Sequence, residues 1–265
     1  MMIELDILNF ACPVDGVKAF STTRGEVMKG KPYSGVNLWD YVGDDALRVL
    51  DARLTLAMQL DVDLDDLVMP RQTHSCCVAL IDERFRSLDI DKQEAALEGV
   101  DALVTNLEGV VIGVNTADCV PIVMTDPQAG IIGVAHAGWR GTVGRIAQAT
   151  VEQMCRLGAH AGRIQAAMGP SICQECFEVG DEVVEAFKKA RFDVEAIIKR
   201  NAATGKAHID LRASNRDVLI AAGVPATAIV MSQHCSRCEP DRYFSARRLG
   251  INSGRTFTAV YKPAI

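Results

Sequence analysis

The feature that most constrains this chain is a triplet of apolar runs, Val110–Val114, Pro121–Thr125 and Ile131–Ala135, separated by only a few residues each. Each run has the length of a strand. The connector Asp126–Gly130 carries Asp-Pro and Gly, a natural turn. No helix fits between the members. The triplet therefore favours an α/β chain of the mixed-sheet, α+β kind, built in layers, over a strict doubly wound fold.

Around this centre strands and helices interleave. The alternation of Ile3, Leu5 and Ile7 with Glu4 and Asp6 reads Met1–Phe10 as an opening strand. Phe20–Gly43, rich in Gly, Ser, Lys and Asn, reads as a long irregular segment of the functional kind. Asp44–Leu60 reads as a helix capped by Asp44 or Asp45, with Leu47, Leu50, Leu54 and Met58 recurring at three-to-four spacing. Thr142–Leu157, Asp181–Ala190 and Leu211–Ala222 read as further helices. Val78–Ile81, Ile164–Met168, Ala228–Met231 and Thr256–Tyr261 read as strands. With no linker-like stretch, residues 1–265 are expected to form one domain.

Composition removes several function classes. Lys and Arg number 28 against 34 Asp and Glu, for a net charge of -6. A nucleic-acid or membrane-surface binder would need a basic excess. The apolar runs are too short to span a bilayer, and the polar alternation at the start does not resemble a secretory leader. Nine cysteines in a chain expected to be cytoplasmic should be free thiols or metal ligands. Vicinal Cys76 and Cys77 fall on a strand in this reading, so one should point into the core.

Several familiar signatures fail on inspection. Gly25-x-x-x-x-Gly30-Lys31 mimics a phosphate loop, but Pro32 replaces the required hydroxyl and no helix follows. Gly138, Gly141 and Gly144 lack the dinucleotide spacing. Pro170-Ser171-Ile172-Cys173-Gln174-Glu175-Cys176 resembles half of a zinc deaminase motif, and the His-x-Glu half is absent. Two Cys-x-x-Cys pairs, Cys173/Cys176 and Cys235/Cys238, could in principle make a four-cysteine zinc site, but their wide separation makes that signal weak; small buried thiols or surface cysteines are the alternative.

Three segments carry metal-capable side chains at strand ends or glycine turns: Arg71-Gln72-Thr73-His74-Ser75, Asn115-Thr116-Ala117-Asp118-Cys119-Val120-Pro121 and Gly133-Val134-Ala135-His136-Ala137-Gly138-Trp139-Arg140-Gly141. His74, Cys119 and His136 would make a His₂Cys set, which suits zinc with one open position. A hydrogen-bonded histidine or a core thiol is the alternative for each.

Thr116-Ala117-Asp118-Cys119-Val120-Pro121, His136-Ala137-Gly138-Trp139-Arg140-Gly141, Met168-Gly169-Pro170-Ser171-Ile172, Phe177-Glu178-Val179-Gly180 and Tyr243-Phe244-Ser245-Ala246-Arg247-Arg248 together resemble the YfiH family. That family was labelled polyphenol oxidase or laccase-type and is described as purine nucleoside phosphorylase. The likeness runs from Ser21-Thr22-Thr23-Arg24 through Asn37-Leu38 to Gly254-Arg255. It implies a four-layered α/β/β/α domain with zinc on the matching His74, Cys119 and His136. It also implies phosphorolysis of adenosine, inosine, guanosine and methylthioadenosine, together with deamination of adenosine. Phe177 stands where the family often has Tyr, which bears on substrate preference alone.

Such chemistry needs a cationic fork for phosphate, and arginine supplies one better than lysine. Arg24, Arg140, Arg247 and Arg248 lie in the family-like segments, and Arg140 lies nearest His136 in sequence. A solvated face or salt bridge is the alternative for Arg247 and Arg248. Asp118, beside Cys119, is the candidate proton carrier or ligand-orienting residue. Gln72 and Asn37 are candidates for holding purine or ribose. The expected partners are purine nucleosides and phosphate, handled by a monomer or homodimer. Five histidines cannot furnish a multicopper cluster, although the His₂Cys set could hold one copper. The rival readings are a copper-dependent polyphenol oxidase, a cysteine hydrolase using Cys119 with a histidine base, and a zinc or thiol sensor.

Overall fold

The computed structural model describes residues 7–9, 16–28 and 30–264. Two large mixed sheets stack face to face. The first runs in the order β1 (Ile7–Asn9), β2 (Lys18–Thr22), β14 (Thr256–Tyr261), β6 (Val111–Thr116) and β3 (Leu67–Val68). The second runs β13 (Ile229–Met231), β9 (Gln165–Met168), β7 (Val120–Asp126), β8 (Ile131–Ala137), β5 (Ala102–Thr105) and β4 (Val78–Leu80). A small antiparallel sheet joins β10 (Glu178–Val179), β12 (Ala207–Ile209) and β11 (Ile198–Arg200). Of the expected opening strand, Ile7–Asn9 is a strand and the remainder lies outside the described residues.

The apolar triplet divides between the sheets. β6 pairs with β14 and β3, whereas β7 and β8 form a hairpin in the second sheet. The chain crosses from one sheet to the other at residues 117–119. That crossing fixes the position of the site.

Period-two alternation explains the layering. Thr258 and Val260 of β14 alternate with Phe257, Ala259 and Tyr261. Val260 meets Ile112, Val123, Ile132 and Val134 between the sheets. Phe257 and Tyr261 face outward onto Ala52, Leu56 and Ala57 of α1 (Ala46–Leu60). On the other side, Ile122 and Met124 of β7 pack with α5 (Ile146–Arg156), α6 (Asp181–Lys189) and α8 (Leu211–Ala221) through Val151, Met154, Phe187 and Val218. The layers are thus helix, sheet, sheet, helix, as the family resemblance implied. Each fully buried Val, Leu, Ile, Phe or Met side chain among these contributes roughly 1.5–3 kcal/mol. Short helices α2 (Glu83–Arg86), α3 (Ile90–Leu97), α4 (Trp139–Val143), α7 (Val194–Ile197) and α9 (Ala246–Leu249) complete the set.

Three readings are corrected. In α1, Asp45 caps Leu47 and Arg48 as expected, but the recurring residues lie outside: Leu47 is 77% and Met58 71% exposed. The helix packs instead on Val49, Ala52, Leu56 and Ala57, which share the same periodicity. The helix expected over Thr142–Leu157 is two helices, α4 and α5, parted at Gly144 and at Arg145, whose φ of 66° is left-handed. A side chain at Gly144 would lie 2.2 Å from Cys76 Sγ, so any larger residue there would have to displace the Cys76 thiol. Finally, β4 begins at Val78, and Cys76 and Cys77 precede it with both exposed.

Candidate metal centre

Asp101 organises the centre. It stands just ahead of β5 with its side chain fully buried. Its carboxylate accepts the backbone N–H groups of Thr73 (3.0 Å), His74 (3.0 Å) and Ser75 (2.8 Å). It also pairs with His136 Nδ1 at 2.7 Å. A carboxylate with these partners stays ionised: burial alone would raise its pKa, but His136 and the amides more than reverse that and lower it. The three amide bonds over-determine the 73–75 turn. They hold His74 at φ 63°, a left-handed conformation uncommon outside glycine, though histidine takes it more readily than most residues.

His136 is the penultimate residue of β8. With Nδ1 engaged by Asp101, its Nε2 is left for the site. Across the hairpin, Val120 pairs with Ala137 and Pro121 with His136. Extending the ladder one step sets Cys119 beside Gly138. Cys119 Sγ lies 3.8 Å from His74 Nε2, and the His74 and His136 rings meet edge-on at 4.8 Å between centroids. The ligand atoms of His74, Cys119 and His136 all lie within 4.8 Å of one another.

This donor set fits one transition metal ion of zinc type. Two imidazoles and a thiolate converge, leaving room for a further ligand. A side chain at Gly138 would lie 2.8 Å from His74 Cδ2 and 2.9 Å from Cys119 Sγ, so the glycine clears the space in which the ligands meet. In the metal-free chain burial opposes the Cys119 thiolate, but His136 and His74 outweigh it and bring the thiol down to about 6. Burial likewise opposes a charged His136, yet Cys119 and Asp101 raise it to about 9. The protein thereby prepares a deprotonated sulfur, the form that binds metal.

The centre opens into a cavity of ≈ 130 Å³ also lined by Trp39, Gln72, Asn115, Ala246, Ile251 and Arg255. Asn115 is only 4% exposed, and both polar atoms of its side chain lack partners among the described residues. Gln72 bonds the Asn115 backbone in both directions, at 2.9 and 2.7 Å. It therefore shapes the wall and fixes the base of Asn115. Arg255 donates to the carbonyls of Ser253, Gly254 and Ile251. Burial lowers its pKa, opposed by the charges of Cys119, Asp118 and Tyr33. It is the arginine of the cavity wall.

The other candidate residues stand elsewhere. Asp118 (φ 91°) accepts from Ser236 Oγ and from the Arg247 amide, each at 2.7 Å, and so ties two loops beside Cys119. Arg140 is exposed and stacks on Trp139 at 4.2 Å, outside the cavity lining. Arg24 is buried, donating to the Ser34 and Pro240 carbonyls over the Phe244 ring. Asn37 braces Trp39, Asp44 and the Arg255 amide. Arg247 donates to the Glu178 carbonyl, and Arg248 lies exposed on α9. Sequence reasoning passed over Asp101, Asn115 and Arg255. Asn115 heads one of the three metal-capable segments and Arg255 closes the family-like stretch; Asp101 offered only an acid directly before an apolar strand.

The family model described as multi-copper polyphenol oxidoreductase laccase matches residues 18–262. A protein named adenosine deaminase RL5, from an unknown prokaryotic organism, is 78% identical over 261 residues, covering 98% of this chain and 100% of its own. A purine nucleoside phosphorylase of Bacteroides thetaiotaomicron is 39% identical, covering 92% of this chain and 91% of its own. The crystal structure of the hypothetical protein YfiH of Bacillus licheniformis superimposes with a TM-score of 0.84 at 30% identity, covering 92% of each chain.

Proposed function

We propose, since this chain belongs to the YfiH family described as multi-copper polyphenol oxidoreductase laccase, that it is a zinc-dependent purine nucleoside phosphorylase that also deaminates adenosine. The substrates are adenosine, inosine, guanosine and methylthioadenosine, with phosphate as co-substrate. The observation that carries this reading is the meeting of His74, Cys119 and His136 in the lining of a cavity that also presents the Asn115 amide, unpartnered among the described residues, and the half-buried Arg255. The names of the two relatives, a deaminase and a phosphorylase, support the same pair of activities.

His74, Cys119 and His136 would hold the zinc ion, which would supply Lewis-acid chemistry at the cavity. The chain's own groups do the rest. Asp101 holds His136 with Nε2 inward and fixes the His74 turn. Arg255 opposes the charge of phosphate against the sugar, and Asn115 offers a donor and an acceptor to ribose or purine. Asp118 positions Cys119 through the loops it joins. Arg24, Asn37 and Gln72 act by holding the cavity wall, and Arg140, Arg247 and Arg248 remain candidates for the cavity mouth. Eight free cysteines among the described residues suit a reducing, cytoplasmic setting.

The laccase label of the family needs more copper ligands than this centre offers. His160, His208 and His234 are bonded to Gly162, Gln174 and Glu239, respectively. One copper on the His₂Cys set would account for weak phenol oxidation at most. A second reading, a cysteine hydrolase, rests on the thiolate–imidazolium pair that Cys119 and His136 form without metal.

Zinc-analysed protein incubated with inosine and adenosine, with and without phosphate, decides between them. Phosphate-dependent hypoxanthine release that vanishes in Cys119→Ala and on chelation is expected. Equal rates without phosphate, or activity that survives chelation but not alkylation, would move the assignment to the hydrolase.

A further inference from the structure

The two Cys-x-x-Cys pairs, 62 residues apart in sequence, come together in space. The sulfurs of Cys173, Cys176, Cys235 and Cys238 all lie within 4.8 Å of one another. Cys176 Sγ and Cys238 Sγ stand 3.4 Å apart, and all four thiols are free. A tetrahedral zinc with bonds of about 2.3 Å spaces its sulfurs at about 3.8 Å, so the quartet needs only small adjustments to close on one ion.

The backbone is arranged for the same end. Cys173 and Cys176 bracket a tight turn in which the Cys176 and Phe177 amides donate to the Cys173 carbonyl at 3.0 Å. On the facing loop the Glu239 amide donates to the Cys235 carbonyl (2.9 Å), and the Cys235 amide donates to the Glu239 carboxylate (3.1 Å). The Cys173 amide points at Cys235 Sγ from 3.3 Å, a bond that favours sulfur as thiolate. Four thiolates around Zn²⁺ carry two excess negative charges, and the Arg237 guanidinium lies 3.4 Å from Cys176 Sγ to offset them. Cys176 and Cys235 are buried, whereas Cys238 is exposed and gives the ion a way in.

We propose that Cys173, Cys176, Cys235 and Cys238 bind a second, structural zinc ion as a tetrathiolate site, independent of the His74, Cys119 and His136 centre. The ion clamps the segment after β9 to the segment after β13. Ser236, between the paired cysteines of the second loop, bonds Asp118 next to Cys119. The clamp therefore steadies the wall beside the first centre without contacting substrate.

Elemental analysis of the full chain purified without chelator tests this. Two zinc ions per chain are expected, falling to one in Cys176→Ser/Cys238→Ser and to one in His74→Ala/His136→Ala. A second measurement does not depend on the cysteine variant folding: cobalt loaded into His74→Ala/His136→Ala should show the intense sulfur-to-cobalt charge-transfer band of a four-sulfur tetrahedral site. One zinc per chain in both the parent protein and Cys176→Ser/Cys238→Ser would overturn the proposal. So would a disulfide among the four cysteines of the freshly isolated protein, or a cobalt spectrum without that band. Because metal content is the readout, the outcome stands apart from whether the chain turns over nucleosides.

Discussion

Asp101 and His136 meet at 2.7 Å, carboxylate to Nδ1, with Asp101 fully buried and His136 nearly so. Through that contact one carboxylate aims the candidate metal ligand on β8 while its other bonds shape the turn that carries His74. An asparagine there keeps the volume but presents an NH₂ to a ring of N–H donors. Asp101→Asn should lower stability by about 2–4 kcal/mol and zinc affinity by about 10–100-fold. Urea denaturation and a chelator competition titration measure the two effects. Unchanged zinc affinity would mean that Asp101 serves the fold alone.

Gly138 separates metal binding from folding. Its φ of -68° suits any residue, so alanine meets no backbone objection. The added carbon would instead press on His74 Cδ2 and Cys119 Sγ. Gly138→Ala should keep its circular dichroism and most of its stability while losing at least about tenfold in zinc affinity and nearly all turnover. Full zinc occupancy in the variant would show that the ligands meet elsewhere.

The pattern of what the sequence discloses follows from distance along the chain. β7 and β8 are legible because both faces of the hairpin are buried, so apolar residues run unbroken. The His₂Cys set is legible through its short flanking motifs. Asp101 acts on amides 26 to 28 residues away, which leaves no local pattern. The cysteine quartet is hidden in the same way, since its pairs meet only once β9 and β13 lie side by side. In α1 two apolar stripes share one period, and only the neighbouring sheet decides that Leu56 goes inside and Leu47 outside.

Asp126 gives the fold an acid-sensitive point remote from the metal centre. Burial opposes its charge, but Arg163 and the amides of His160, Ala129 and Gln128 outweigh that and hold its pKa below the ordinary 3.8. A depressed acid stabilises the fold above its unfolded value and ceases to do so as pH falls through the folded one. The contribution is therefore complete at neutral pH and is lost below about pH 4. Asp126→Asn should cost about 2–4 kcal/mol at pH 7 and flatten the fall of stability with acid. Urea midpoints from pH 7 to pH 3 test this; parallel curves for the two proteins would contradict it.

Arg255 and phosphate can be separated from the nucleoside. Arg255→Lys keeps a positive charge while losing the planar fork that grips the loop carbonyls and, in the proposed reaction, would grip the phosphate dianion. Phosphorolysis of inosine should fall by about 10²-fold through the phosphate KM and kcat together, whereas adenosine deamination, which uses no phosphate, should fall much less. An equal loss in both activities would assign Arg255 to the structure of the wall.

Asn115 yields the sharpest contrast between stability and activity. A buried amide with neither atom bonded costs about 1–3 kcal/mol, and among the described residues no group bonds either atom. Its backbone is already held by Gln72, and its neighbours along β6 are all buried. Removing the amide should therefore leave stability unchanged or raise it by up to about 1 kcal/mol. If the amide waits for a sugar or base, the same change should raise the nucleoside KM by about tenfold or more. Asn115→Ala, followed by thermal unfolding and by inosine and adenosine kinetics, should thus give a protein at least as stable and markedly worse at binding. A variant that is destabilised by several kcal/mol with unaltered KM would place Asn115 in the framework and leave the nucleoside to be read by other groups.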